Sequence, residues 1–236
     1  LIFSLIQIKG ICWNNFKFKK VITDIKESSI IVFIQIFVLF NNLFPLIILG
    51  FFETPDVVGS YKLALQMSAI SGIALHAINK IVQPRFAKSF RNKDFAEIQK
   101  IAINSNRITI IYCFLISIVI FFSYKKFISI FFGTDFLISK ITFLIILLIP
   151  FINALFGSVG AIINMSGNEI ETLKWCGIAL FIGLLSNFLL IPIIGINGAA
   201  FSTLIACSIR GFALWKQSFK LLKVNSSFLL NEILKF

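Results

Sequence analysis

The chain has 236 residues, of which 58% are apolar and only 14% charged, with 22 Lys and Arg against 10 Asp and Glu. That balance excludes an ordinary soluble domain, in which about a quarter of the residues are charged. It also argues against a nucleic-acid partner, because the basic residues cluster between apolar runs, where membrane proteins hold them in cytoplasmic loops.

Leu1 to Ile8 lacks the charged start and small-residue cleavage site of a signal peptide. It is too short to span a bilayer and reads as the cytoplasmic end of a preceding helix, so the chain is expected to be a fragment or a truncated product. A linker carrying Lys9, Lys17, Lys19, Lys20 and Lys26 completes segment 1–29. Residues 30–216 then read as a six-helix transmembrane lobe, since roughly 20 apolar residues cover a ~30 Å hydrocarbon core. The expected spans are 30–52, 60–83, 108–124, 141–163, 173–194 and 197–215, with both ends cytoplasmic and a cytoplasmic or interfacial tail over 217–236. The fold class is an all-α integral membrane bundle.

The first span holds Pro45, which removes a backbone hydrogen bond and tends to kink a helix. Gln35 and Asn42, seven residues apart, are expected on one face with Pro45 nearby on that side. The second span follows the acidic turn Glu53-Thr54-Pro55-Asp56 and precedes a loop expected to carry Arg85, Lys88, Arg91, Lys93, Lys100 and Arg107. Short basic loops stay cytoplasmic, so this span fixes the orientation of the rest. On a helical wheel, Lys62, Gln66, Ala69, Gly72, His76, Asn79, Lys80 and Gln83 fall within a sector of about 140°. A basic side chain at mid-bilayer costs roughly 2.5–3.5 kcal/mol on insertion scales, so the stripe is expected to face protein or a water-filled cavity. The plainer alternative is that Lys62 and Lys80 snorkel to opposite surfaces and His76 hydrogen-bonds a neighbouring helix.

Within the loop, Asp94 followed by Glu97 signals a helix start. Phe95, Ile98, Ile101 and Ala102 recur at helical spacing, which predicts a helix lying on the membrane surface. The third span ends at Lys125 and Lys126, two outer lysines that run against the positive-inside rule, and residues 127–136 read as an outer interfacial segment. The fourth span places Pro150, Asn153, Gly157, Gly160 and Asn164 on one face, where small residues serve close helix packing or a hinge. The sixth repeats the device with Gly198, Ser202, Ala206 and Arg210. Trp175 and Trp215 fall near expected interfaces. Cys113, Cys176 and Cys207 lie in apolar runs and Cys12 among cytoplasmic-side residues, at no metal-ligand spacing, so neither a metal, a disulfide nor a cofactor is expected. No nucleophile–base pair or phosphate-cradling loop is visible, and an enzyme is not expected.

Five motifs recur in a set order over about residues 28–216. They are Val58-Gly59-x-Tyr61-x-x-Ala64, Pro84-Arg85-Phe86-Ala87, Phe131-Phe132-Gly133-x-Asp135-Phe136, Asn164-Met165-Ser166-Gly167-Asn168-Glu169, and Ile191-Pro192-x-x-Gly195-x-x-Gly198-Ala199-Ala200. In this the chain resembles the polysaccharide (O-antigen) flippases of the multidrug/oligosaccharidyl-lipid/polysaccharide exporter superfamily. The resemblance implies the C-terminal lobe of a two-lobe exporter, with an N-terminal lobe missing from this chain and a V-shaped cavity between the lobes. It implies translocation of an undecaprenyl-pyrophosphate-linked oligosaccharide repeat unit across a prokaryotic inner membrane, for lipopolysaccharide O-antigen or a similar surface polysaccharide.

A pyrophosphate crossing hydrocarbon needs a cationic, hydrated path. In that reading Lys80 and Arg210 supply positive charge near the cytoplasmic entrance and His76 a hydrogen-bonding group deeper in. Gln35, Asn42, Gln66 and Asn79 bind sugar hydroxyls, and Asn153 also lies on the path. The rivals are a multidrug exporter of the same superfamily, against which the lack of a membrane-embedded acid counts, and an integral membrane polysaccharide polymerase, against which the short outer loops count.

Overall fold

The computed structural model describes residues 18–133 and 136–222, with side chains from Ser28 onward. The expectations placed on Leu1–Ile8, residues 9–17, Cys12, Asp135 and the tail beyond Leu222 lie outside the described residues. Among the described residues seven helices follow one another: α1 (Phe18–Phe52), α2 (Pro55–Arg91), α3 (Phe95–Phe131), α4 (Lys140–Phe156), α5 (Val159–Met165), α6 (Glu169–Ile194) and α7 (Ile196–Leu222). Among the described residues there is no strand. Of the described helices four, α1 from Ser28, α3, α6 and α7, are long and apolar enough to cross a membrane, and five spans result if α4 and α5 count as one. That is the make-up of a multi-pass membrane protein. The remaining long helix, α2, has 37 residues but falls short of the same apolarity.

Most helices overrun the expected spans, and one expected loop is absent. α2 continues through Pro84 to Arg91, and α3 begins at Phe95. The loop foreseen after Gln83 is therefore only the turn Asn92-Lys93-Asp94. The Asp94 carboxylate accepts from the Glu97 backbone N–H at 2.9 Å, which starts α3 as its sequence signals. Ser89 Oγ then donates to Glu97 Oε2 at 2.8 Å and ties the two helices across the turn. The segment from Phe95 does not lie apart as a surface helix. Ile98 and Ala102 pack with Val82 and Phe86 of α2 and with Ala161 and Ile162 of α5. The same buried face runs on through Ser105, Thr109, Cys113, Ile120, Tyr124 and Ile128, so tertiary packing carries α3 straight through the expected boundary.

The fourth expected span is broken. α4 and α5 meet at a bend of 42°. Gly157 sits at the break with φ 64° and ψ −141°, a conformation that glycine alone adopts without strain.

α4 is the centre of the arrangement. α1, α6 and α7 pack as one group, α2 and α3 as another, and α4 touches α2, α3 and α7. Eight of its 17 residues are buried. One apolar core joins Leu49, Tyr61, Ala64, Tyr124, Phe143, Ile146 and Ile191 at the end near the α6–α7 turn. Two smaller cores, around Phe86 with Ile98 and around Ile163 with Leu214, lie at the other end. Trp175 and Trp215 pack against the last of these. Cys113, Cys176 and Cys207 are buried free thiols, in keeping with a space-filling role.

Candidate functional site

The face of α2 turned away from the bundle carries Lys62, Gln66, His76 and Lys80, all exposed. The opposite face is buried through Ser60, Tyr61, Ala64, Ser68, Ser71, Val82, Phe86 and Ser89. Ser68 and Ser71 donate back to the carbonyls of Leu65 and Ser68, so their hydroxyls are satisfied within the helix. Lys62 and Lys80 are 18 residues apart, about 27 Å along a helix, which nearly matches the ~30 Å hydrocarbon core. Gln66 and His76 stand one turn inward from each lysine. Between them the exposed arc is small or aliphatic: Ala69, Ile70, Ile73 and Ala77. The seam is thus polar toward both ends and apolar in the middle.

The sector expected to form one stripe divides. Gly72 lies on the bundle side, where an added Cβ would come 3.5 Å from Pro150 of α4. Asn79 is half-buried, and its Oδ1 is buried without a hydrogen-bond partner. Gln83 is half-buried as well. The wheel spread these residues over an arc wider than the helix leaves open, and packing on α4 took one edge.

A second constellation gathers at the break between α4 and α5. Asn106 of α3, 1% exposed, donates through Nδ2 to the carbonyls of Ala154 at 2.6 Å and Leu155 at 3.4 Å. These are carbonyls that the interrupted helix cannot pair within itself. On the same turn, Asn153 Oδ1 accepts from Arg210 Nη2 of α7 at 3.0 Å. The guanidinium thereby sits at the C-terminal, negative end of α4, where a cation is favoured. Cys176 of α6 lies within electrostatic reach of it. Arg210 is half-buried and five residues, about 7 Å, short of Trp215. The structure therefore brings together Asn153 and Arg210, which the sequence placed on separate spans, and adds Asn106 to them.

Gln35 and Asn42 are not part of either group. Both are exposed on α1, whereas Pro45 is buried on another side of the helix, so the expected three-residue face does not form. The neighbour Asn41 is the one turned inward, 7% exposed, facing Gly183 of α6. Asn187, one turn on, donates to the Gly183 carbonyl at 2.8 Å and keeps a buried Oδ1 without a partner. The small-residue face of the fourth span also divides. Gly160 has nothing within 4 Å of where a Cβ would stand, so it mediates no close approach.

No protein family, curated protein or solved structure matches this chain.

Asn106 and Asn41 were the residues sequence reasoning missed, and both carried a signal. Ile34, Asn41, Pro45 and Ile48 recur at seven, four and three residues and are all buried. Extending the seam of Ile98 and Ala102 by the same rule reaches Ser105, Asn106 and Thr109. Among the described residues, no three His, Cys, Asp or Glu side chains converge as metal ligands.

Proposed function

We propose that this chain is one six-span lobe of an inner-membrane flippase, with α2 as the sixth span, and that it moves a lipid-linked oligosaccharide for surface polysaccharide synthesis. The observation that carries the reading is the outward seam of α2. A helix whose open face carries Gln66 and the chain's single histidine one turn inside its two end lysines is poorly suited to lipid, because polar groups within the hydrocarbon are costly. A second lobe related by an axis along the membrane normal would enclose that face in a hydrated cleft. The lysines near either end would meet the pyrophosphate at loading and at release, and Gln66 and His76 would offer hydrogen bonds to sugar hydroxyls or phosphate oxygens.

Arg210 contributes differently from Lys80. With one N–H on Asn153 and four to spare, it holds the broken span and leaves donors for an anion at the basic end. An exporter of cationic drugs would place acids along the same seam, and the α2 seam carries none.

The test is transport in a flippase-deficient strain supplied with the complete transporter. Replacing Lys80 and Arg210 together by Gln lowers surface polysaccharide at least tenfold while the protein stays in the membrane at normal level. Undiminished export by that variant would remove the assignment.

A further inference from the structure

The turn between α2 and α3 forms a basic helical hairpin whose charge the fold leaves directed outward. Lys88, Arg91, Lys93 and Lys100 are all exposed. The two acids closest to them are used by the turn itself, Asp94 as the cap of α3 and Glu97 as the acceptor of Ser89 Oγ. Lys93 holds φ 58°, so the backbone turns sharply there and presents its side chain at the tip.

These cations continue faces that are apolar further along the same helices. On α3 the open arc runs through Ile118, Leu115 and Ile111 to Ile108, which is 60% exposed, and then becomes polar at Asn104 and Lys100. On α2, Ile81, 61% exposed and about 100° round the helix from Lys80, precedes Lys88 and Arg91. Lys88, Arg91 and Lys100 stand seven to ten residues, about 10–15 Å, beyond Ile81 and Ile108, which carries them out of the hydrocarbon and through a headgroup layer roughly 5–8 Å deep.

We infer that this hairpin is a binding surface for acidic phospholipid headgroups of the leaflet it borders. Charge complementarity carries the choice of occupant. So does the continuity of the basic arc on α3 with a lipid-facing aliphatic one, which a soluble acidic protein would not require. Clusters of four or more basic residues next to a membrane helix attract anionic lipid. Here they are held on two packed helices rather than on a flexible tail, with Phe86 and Ile98 wholly buried between them. The inference stands independently of what the protein transports.

The experiment is native mass spectrometry of the full chain in neutral detergent, titrated with dioleoylphosphatidylglycerol or dioleoylphosphatidylcholine. Wild type binds the anionic lipid at least tenfold more tightly. Combining Lys88→Gln, Arg91→Gln and Lys93→Gln weakens that binding by roughly fivefold per charge removed, on the order of a hundredfold in all. The matched variant at the other end, Lys125→Gln with Lys126→Gln and Lys140→Gln, stays within about twofold of wild type, because its charges lie far from the hairpin. Lys88→Arg with Lys93→Arg retains binding and shows that charge, not packing, is responsible. Raising salt from about 0.05 M to about 0.5 M erodes the preference of the wild type itself, a readout that needs no variant. Equal losses in the two triple variants, an unchanged hairpin variant, a salt-independent preference, or displacement of the lipid by an equal concentration of inorganic phosphate would each overturn the inference.

Discussion

Replacing Asn106 by Ala tests the helix break most sharply. The substitution deletes two donated hydrogen bonds, to Ala154 O at 2.6 Å and Leu155 O at 3.4 Å. The shorter one satisfies a carbonyl that has no intrahelical partner where α4 stops. A buried carbonyl left unpaired costs about 1–3 kcal/mol, and side-chain hydrogen bonds measured within membranes sit toward the low end, so roughly 1–2 kcal/mol is expected. Gly157→Ala adds backbone strain of about 1–3 kcal/mol, because its positive φ is costly for any residue with a Cβ. That Cβ would also collide with the Asn106 side chain. The two effects therefore share one atom group. In the double variant the collision disappears, and the combined loss falls short of the sum by on the order of 1 kcal/mol. The assay is unfolding in mixed micelles of rising dodecyl sulfate fraction, followed by circular dichroism. Strict additivity, or an Asn106→Ala variant as stable as wild type, would refute the account of the break.

Three further outcomes follow from the packing. Gly198→Ala lowers stability by at least about 1–3 kcal/mol in the same unfolding assay, because its Cβ would fall on the backbone of Leu190 and Ile191, which cannot retreat. Gly50→Ala, with nothing within 4 Å of the new methyl, is neutral or stabilising by up to about 1 kcal/mol. The thiols of Cys113, Cys176 and Cys207, all buried, stay unlabelled by a membrane-impermeant maleimide in native membranes and label after denaturation, as gel shift or mass spectrometry would record.

How much of this was legible beforehand depends on which force decided each element. The apolar runs marked the helices well, because apolar length is what a bilayer selects. Asp94 and Glu97 announced the start of α3 correctly, since a cap is a local device. The boundary between Gln83 and Ile108 was misjudged for a complementary reason. Charges there suggested a loop, yet Val82, Phe86, Ile98 and Ala102 bury together and hold both helices past the charged stretch. Gly157 was noticed as a small residue, but nothing in spacing alone separates a packing glycine from a chain break. That distinction rests on Asn106, 51 residues earlier in the chain. Within the candidate site, Lys62, Gln66, His76 and Lys80 emerged on one open face as periodicity suggests. Gln35 and Asn42 did not join them, because the buried side of α1 is set by Ile34, Asn41, Pro45 and Ile48.

The central claim is that the open face of α2 meets water rather than lipid, and cysteine accessibility in the protein assembled in its native membrane measures it directly. Single cysteines at Gln66, His76 and Lys80, in a background whose native cysteines are replaced, react with a membrane-impermeant maleimide at least tenfold faster than cysteines at the outward aliphatic positions Ile111 and Ile118 of α3. Reaction at Gln66, His76 and Lys80 as slow as at those two positions would contradict it.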